Sequence, residues 1–249
     1  MNHEQTKAIR FERVSKVFEG SPVLDNVSFE VARGEAFCVL GRSGTGKTVL
    51  LKLMIGMLKP DGGKIFIDQE EITALDKPSL LRVRKTIGFL FQHAALFDSI
   101  SVADNVAFSL RRDRGKTEEE IRLRVHRMLA EVGLERYADK MPSNLSAGLR
   151  KRVALARALV LHPAILLIDD PSCGVDCFTA REIDRMLVDL KRRHKTTLVI
   201  ASDRMQGLRR VPDRFAVLDG AHLIFRGSAD ELKRNDNHLV RQFAECEDL

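Results

Sequence analysis

Eight residues, GRSGTGKT from Gly41 to Thr48, constrain this chain more than any other stretch. They fit the spacing G-x-x-x-x-G-K-[ST]. The apolar run before them, GEAFCVLG, predicts a short buried strand, and TVLLKLMIGML after them has helical periodicity. A strand that feeds a helix through such a turn can aim its backbone N–H groups at an anion, and the helix N-terminus adds its positive end. Gly41, Ser43, Gly44 and Gly46 are the loop positions expected to line a nucleotide's phosphates. Lys47 is expected to reach the terminal phosphates and Thr48 to offer its hydroxyl to Mg²⁺. A glycine-rich surface turn with a solvated lysine is the competing reading, and the flanking strand and helix weigh against it.

Around that loop the pattern is α/β. AIRFERVSKVF and VLDNVSFEV alternate apolar and polar residues on either side of the turn signal EGSP, which predicts N-terminal antiparallel strands. KPDGGKIFID predicts a turn and a further strand. From about residue 94 to 156 the pattern becomes helical. Thr117 and Glu120 have capping-box spacing ahead of an apolar face at Ile121, Val125, Met128, Leu129 and Val132. AILLID, TTLVIAS, RFAVLD and HLIFRG then predict strands interleaved with helices, hence a mostly parallel core sheet covered on both faces. Ser228 and Glu231 have the spacing to box the start of a last helix. The chain therefore reads as one domain, 1–249, with 1–93 and 157–249 as the core lobe and 94–156 as an inserted helical lobe.

AILLID ends in Asp169, with Asp170 directly after it. A carboxylate at the end of a buried strand beside a phosphate loop can hold Mg²⁺ opposite Thr48. Asp170, one step further, stands where an attacking water can be polarised.

With these residues in view, the chain resembles the ATP-binding subunit of ABC transporters over essentially its full length. Phe18 in VSKVF sits where that family stacks an aromatic ring on adenine. Gln92 in FLFQH matches its γ-phosphate- and Mg²⁺-sensing glutamine. LSAGLRKR, Leu145 to Arg152, matches its signature sequence, with Ser146 and Gly148 presented to a nucleotide across a dimer interface. Asp176 in CGVD matches the aspartate that couples two sites. The resemblance implies an ABC-type P-loop nucleotide-binding domain with ATP and Mg²⁺ as cofactors. It also implies Thr48, Gln92 and Asp169 as metal-site residues and Asp170, Gln92 and Asp203 as catalytic positions.

The departures bear on rate. The family has glutamate where Asp170 stands and a switch histidine where Asp203 stands. Ala147 replaces a glycine, Leu149 a glutamine and Cys177 a common proline. Asp170 is one methylene shorter than glutamate, and lost base positioning typically costs about 10² to 10⁴ in rate. Asp203 offers an acceptor where the family has a donor. The expectation is an ABC-type ATPase that is slow; a cassette that binds ATP as a gate and does not turn it over is the alternative.

ALFDS and NVAFSLR, after Gln92, and the tail segment NHLVRQFAE resemble the cassette subunits of maintenance-of-lipid-asymmetry and mammalian-cell-entry systems. That implies phospholipid movement across the bacterial envelope, with amino-acid and lipoprotein transport as alternatives. The implied partners are a membrane permease, a second cassette (identical or different) and an MCE-type substrate-binding protein.

Composition adds bounds. No stretch approaches the ~18 to 20 apolar residues of a membrane span, and MNHEQTKAIRF lacks a signal peptide's core, so a cytoplasmic protein peripheral on the inner membrane is expected. The net charge of +6 suits phosphates, lipid headgroups or nucleic acid, but no tryptophan and one tyrosine, Tyr137, leave few stacking platforms, so nucleic acid is not expected. A soluble ABC protein of DNA repair or translation is disfavoured by the single cassette. Cys173 and Cys177, with no further ligands at metal spacing, read as incidental. His93, beside Gln92, reads equally as a partner contact or as helix or loop surface, and the basic run RRDRGK reads as a solvated loop, with contact to anionic lipid headgroups as the alternative.

Overall fold

The computed structural model describes residues 6–112, 115–205 and 210–245. Strands β1 (Lys7–Phe18) and β2 (Ser21–Ala32) form the expected N-terminal hairpin. With β4 (Gly62–Ile67) and β5 (Glu70–Glu71) they make an antiparallel sheet in the order β2-β1-β4-β5. The second sheet holds β3 (Ala36–Leu40), β6 (Ile87–Leu90), β7 (Ile165–Asp169), β8 (Thr197–Ser202), β9 (Arg214–Asp219) and β10 (His222–Gly227). Its order is β10-β9-β3-β8-β7-β6, parallel throughout except for the β9/β10 pair.

AFCVL, ILLID and TLVIAS are buried at every position. Such continuous burial is the mark of a parallel sheet covered on both faces. Alternate residues serve the two sides. Cys38, Leu40, Leu166, Ile168, Leu198 and Ile200 join one apolar cluster with helices α3 (Val102–Arg111), α4 (Glu118–Glu131), α5 (Ala147–Leu159) and α6 (Cys177–His194). Phe37, Val39, Leu167, Val199 and Ala201 join the other with α1 (Lys47–Met54) and the antiparallel sheet. Stacked rings tie the two sheets together: Phe29 lies 4.7 Å from Phe11 and 5.4 Å from Phe37.

Thr117 and Glu120 form the expected capping box at α4. Ser228 and Glu231 box α7 (Ala229–Lys233), but α8 (His238–Glu245) follows, so α7 is not the last helix. Helix α2 (Lys77–Arg84), capped by Asp76, and strand β6 have no counterpart in the sequence reading; one is mostly polar and the other has four residues. Within RRDRGK, Arg111 pairs with Asp104 at 2.8 Å and Glu118 at 3.3 Å, while Asp113 and Arg114 lie outside the described residues.

One buried acid stands apart. Asp184, on α6, is 6% exposed, and burial pushes its carboxyl from 3.8 up to about 7. Folded Asp184 thus keeps its proton over a range where the unfolded chain releases it. Its contribution to stability is intact below pH 4 and is lost as pH rises to about 7. Asp184→Asn should therefore melt higher than wild type at pH 8 and not at pH 4. The expected gain is about 1 kcal/mol, or ~2 to 4 °C, after allowance for solvent screening. Equal melting temperatures at pH 8 would contradict this.

Candidate functional site

The topology gathers the site. The loop Gly41–Gly46 leaves the carboxyl end of β3, Asp203 follows β8, Asp169 ends β7 and Gln92 lies two residues beyond β6. These strands are neighbours in the order β3-β8-β7-β6, with Leu40 level with Ser202, Asp169 with Ala201 and Leu90 with Ile168. Carboxyl ends of parallel strands are where open α/β sheets bind ligands.

In the loop, Gly46 has φ of +100°, and a Cβ there would come within 2.9 Å of the Val23 carbonyl, so only glycine fits between loop and hairpin. A Cβ on Gly41 would meet the Leu218 carbonyl at 2.7 Å, while Ser43 and Gly44 are exposed. The Lys47 ammonium donates to the Gly41 and Arg42 carbonyls at 2.7 and 2.9 Å. Burial draws its pKa down, opposed by the carboxylates of Asp203, Asp170 and Asp169 in that order. Phe18, at the hairpin tip, is 41% exposed, with the Lys16 ammonium 5.2 Å from its ring centre.

Thr48 Oγ1 donates to the Asp169 carboxylate, 3.0 Å from Oδ1 and 2.9 Å from Oδ2. Asp169 is 4% exposed; burial raises its pKa, and the Thr48 bond opposes that. This oxygen pair suits Mg²⁺. No group of three or more His, Cys, Asp or Glu able to hold a metal occurs among the described residues, so ligands beyond Thr48, Asp169 and Gln92 would come from nucleotide phosphates and water, as is usual for this ion.

Asp170 takes a left-handed backbone, φ 42°, uncommon for a residue with a Cβ. Its N–H donates to the Ala201 carbonyl at 2.9 Å. Burial raises its pKa, and the neighbouring Asp203 carboxylate raises it further. Asp203 faces into this cluster: its Oδ1 is buried without a hydrogen bond, and Arg204 Nε is 3.5 Å away but out of line for one. The Asp203 carboxylate thus acts on both Lys47 and Asp170.

Gln92 Nε2 donates to Cys173 Sγ at 3.3 Å. The turn after β7 carries Cys173 to the glutamine after β6, and neither cysteine joins a metal-holding group among the described residues. Cys177 is exposed at the start of α6. Lys151, unremarked in the sequence, is 4% exposed and donates to the Asp170 carbonyl at 2.7 Å.

Ser146 caps α5, accepting from Leu149 N–H at 3.3 Å. Gly148 is buried two residues later, where a Cβ would lie 2.3 Å from Thr179 Cγ2. Asp176 caps α6, accepting from the backbone of Phe178 and Thr179 and from the Thr179 hydroxyl at 2.6 Å. The start of α5 is therefore locked to the start of α6 through Thr179.

A P-loop facing an acidic strand end, with an inserted helical segment, defines a nucleotide-binding cassette. The profile of the ABC transporter family matches residues 24–173, and the chain belongs to that family. It is 39% identical over 236 residues to a probable ribonucleotide transport ATP-binding protein of Mycobacterium leprae, covering 95% of this chain and 68% of that one. It is 36% identical over 240 residues to a methionine import ATP-binding protein of Pseudomonas aeruginosa, covering 94% of this chain and 72% of that one. The chain thus spans about two-thirds of the length of the curated relatives. Among solved structures, a dimeric ATP-binding cassette in a post-hydrolysis state with ADP and Pi superposes with a TM-score of 0.82 at 30% identity, covering 88% of this chain and 98% of that one.

Gly148→Ala should displace Thr179 and cost about 1 kcal/mol net, overpacking outweighing the gain in helix propensity. Gly148→Ala with Thr179→Ser, which removes the clashing methyl and keeps the hydroxyl, should recover it in urea denaturation. A single variant as stable as wild type would contradict this packing.

Proposed function

We propose that this chain is the ATP-hydrolysing subunit of an ABC transporter, working slowly as a dimer on a separate permease. The observation that carries the reading is the joint between Thr48 and Asp169 beside Lys47. In this reading the phosphates lie along Gly41, Ser43, Gly44 and Gly46, and the Lys47 ammonium exchanges its carbonyl partners for phosphate oxygens. Phe18 stacks on the adenine. Mg²⁺, when bound, would neutralise phosphate charge; Thr48 and Asp169 would hold it, with Gln92 Oε1, which the bond from Nε2 to Cys173 leaves free.

Two cassettes close head to tail, the exposed Ser146 of each facing the other's ATP, with Gly148 buried behind it against Thr179. The solved relative is a dimer, which supports pairing of two cassettes, and the positive end of α5 at the exposed Ser146 favours an anion there. Residues 94–156 act as the lobe that moves with the permease. Asp170 orients the water, and Asp203 tunes the cluster. Burial and Asp203 raise the proton affinity of Asp170, which favours it as a base, while the missing methylene holds its oxygens further from the water and weakens that action.

No helix among the described residues is long and apolar enough to cross a membrane, so transport requires the permease, and the cassette sits against the inner face of the membrane through it. Phe97 and Phe108, 42% and 36% exposed and with ring centres 4.6 Å apart, offer it an apolar contact. Phospholipid is the cargo favoured by the segments containing ALFDS, NVAFSLR and NHLVRQFAE, with an MCE-type protein then in the complex. The similarity to the methionine importer favours amino-acid cargo instead.

The test is ATP turnover by the complex purified with its permease. Lys47→Ala should abolish turnover, and Asp170→Glu with Asp203→His should raise it by about 10² or more. Turnover that survives Lys47→Ala would overturn the ATPase reading. Absent wild-type turnover with ATP still bound would favour the gate. Stimulation by phospholipid and not by methionine would support the lipid cargo; the reverse would replace it.

A further inference from the structure

Lys151 is a lysine on the wrong side of the usual burial rule. It sits on α5 with only 4% of its surface exposed, and the hydrogen bond recorded for its ammonium runs to a backbone carbonyl, that of Asp170, at 2.7 Å. Buried ammonium groups are costly unless they are paired or hold something in place. The carbonyl it holds also accepts from Cys173 N–H at 3.2 Å, closing the turn from Asp170 to Cys173. Asp170 enters this turn in the left-handed region, φ 42°, a conformation that persists only where its surroundings enforce it. At the far side of the turn, Cys173 Sγ accepts from Gln92 Nε2 at 3.3 Å.

These contacts form one chain of hydrogen bonds: α5, then the Asp170 carbonyl, then Cys173, then Gln92. Ser146, which starts α5, lies a little more than one turn before Lys151 on the same helix. We propose that Lys151 and Cys173 are positioning residues that clamp the Asp170–Cys173 turn between the signature helix and Gln92. A shift of α5 then moves the Asp170 carboxylate and the Gln92 amide together. This rests on the reading of Asp170 as the group that orients water. The positive charge of Lys151 also faces Asp170, Cys173 and Asp169, so a purely charge-balancing role is the rival.

The two roles separate by experiment in the purified transporter complex. Lys151→Met should lower kcat by about tenfold or more with KM for ATP nearly unchanged, the usual size of effect for a group supporting a reactive one. Lys151→Arg, which keeps a donor, should recover most of it. Cys173→Ala should lower kcat in the same way, and Cys173→Ser, whose hydroxyl accepts from Gln92, should recover it. A role in charge balance alone predicts no loss in Cys173→Ala.

A second readout needs no turnover. In a Cys177→Ser, Cys246→Ser background, N-ethylmaleimide should alkylate Cys173 about tenfold faster once Lys151→Met frees the turn. Unchanged alkylation together with unchanged kcat in Lys151→Met would overturn the clamp. Absent wild-type turnover with faster alkylation would overturn the role of Asp170 in hydrolysis while upholding the clamp.

Discussion

The hydrogen bond from the Thr48 hydroxyl to the Asp169 carboxylate is the joint on which the site depends. It ties the first turn of α1 to the end of β7, two elements 121 positions apart in sequence. Its existence requires β7 to lie one strand away from β3, with β8 between them, which the continuous burial of all three strands secures. A carboxylate at the end of a buried strand is costly unless something bonds it. Here a hydroxyl does so, shared between both carboxylate oxygens.

The second constraint is charge. Three carboxylates, Asp169, Asp170 and Asp203, act on the one ammonium of Lys47. Before a nucleotide arrives they partly balance it; as phosphates arrive they become a source of repulsion. The family's glutamate and histidine would place a longer base and a donor in that space, whereas this chain places two short acids. In the proposed reading both substitutions weaken the same step, and both leave the loop and the Thr48–Asp169 joint intact.

Much of this arrangement is legible in the sequence because it is local. The P-loop is a spacing, the strand before Asp169 is an uninterrupted apolar run, and the boxes at Thr117 and Ser228 are four-residue patterns. Helix α2 escapes because its apolar face is short, although Asp76 and Pro78 are a cap and a first-turn proline that could have marked it. Strand β6 escapes because IGFL is four residues long. Lys151 and Cys173 are illegible for a different reason. A lysine in a helix reads as solvated, and its burial follows only from α5 packing over the end of β7. A cysteine four residues after Asp169 reads as chance until the adjacency of β6 and β7 sets it beside Gln92.

The most direct measurement is the affinity of a non-hydrolysable ATP analogue, by calorimetry, with and without Mg²⁺, for wild type, Thr48→Ala and Asp169→Asn. The joint predicts that Mg²⁺ tightens wild-type binding by about tenfold or more and that both variants lose this gain while still binding the metal-free nucleotide. An Asp169→Asn variant that gains as much from Mg²⁺ as wild type would contradict the account.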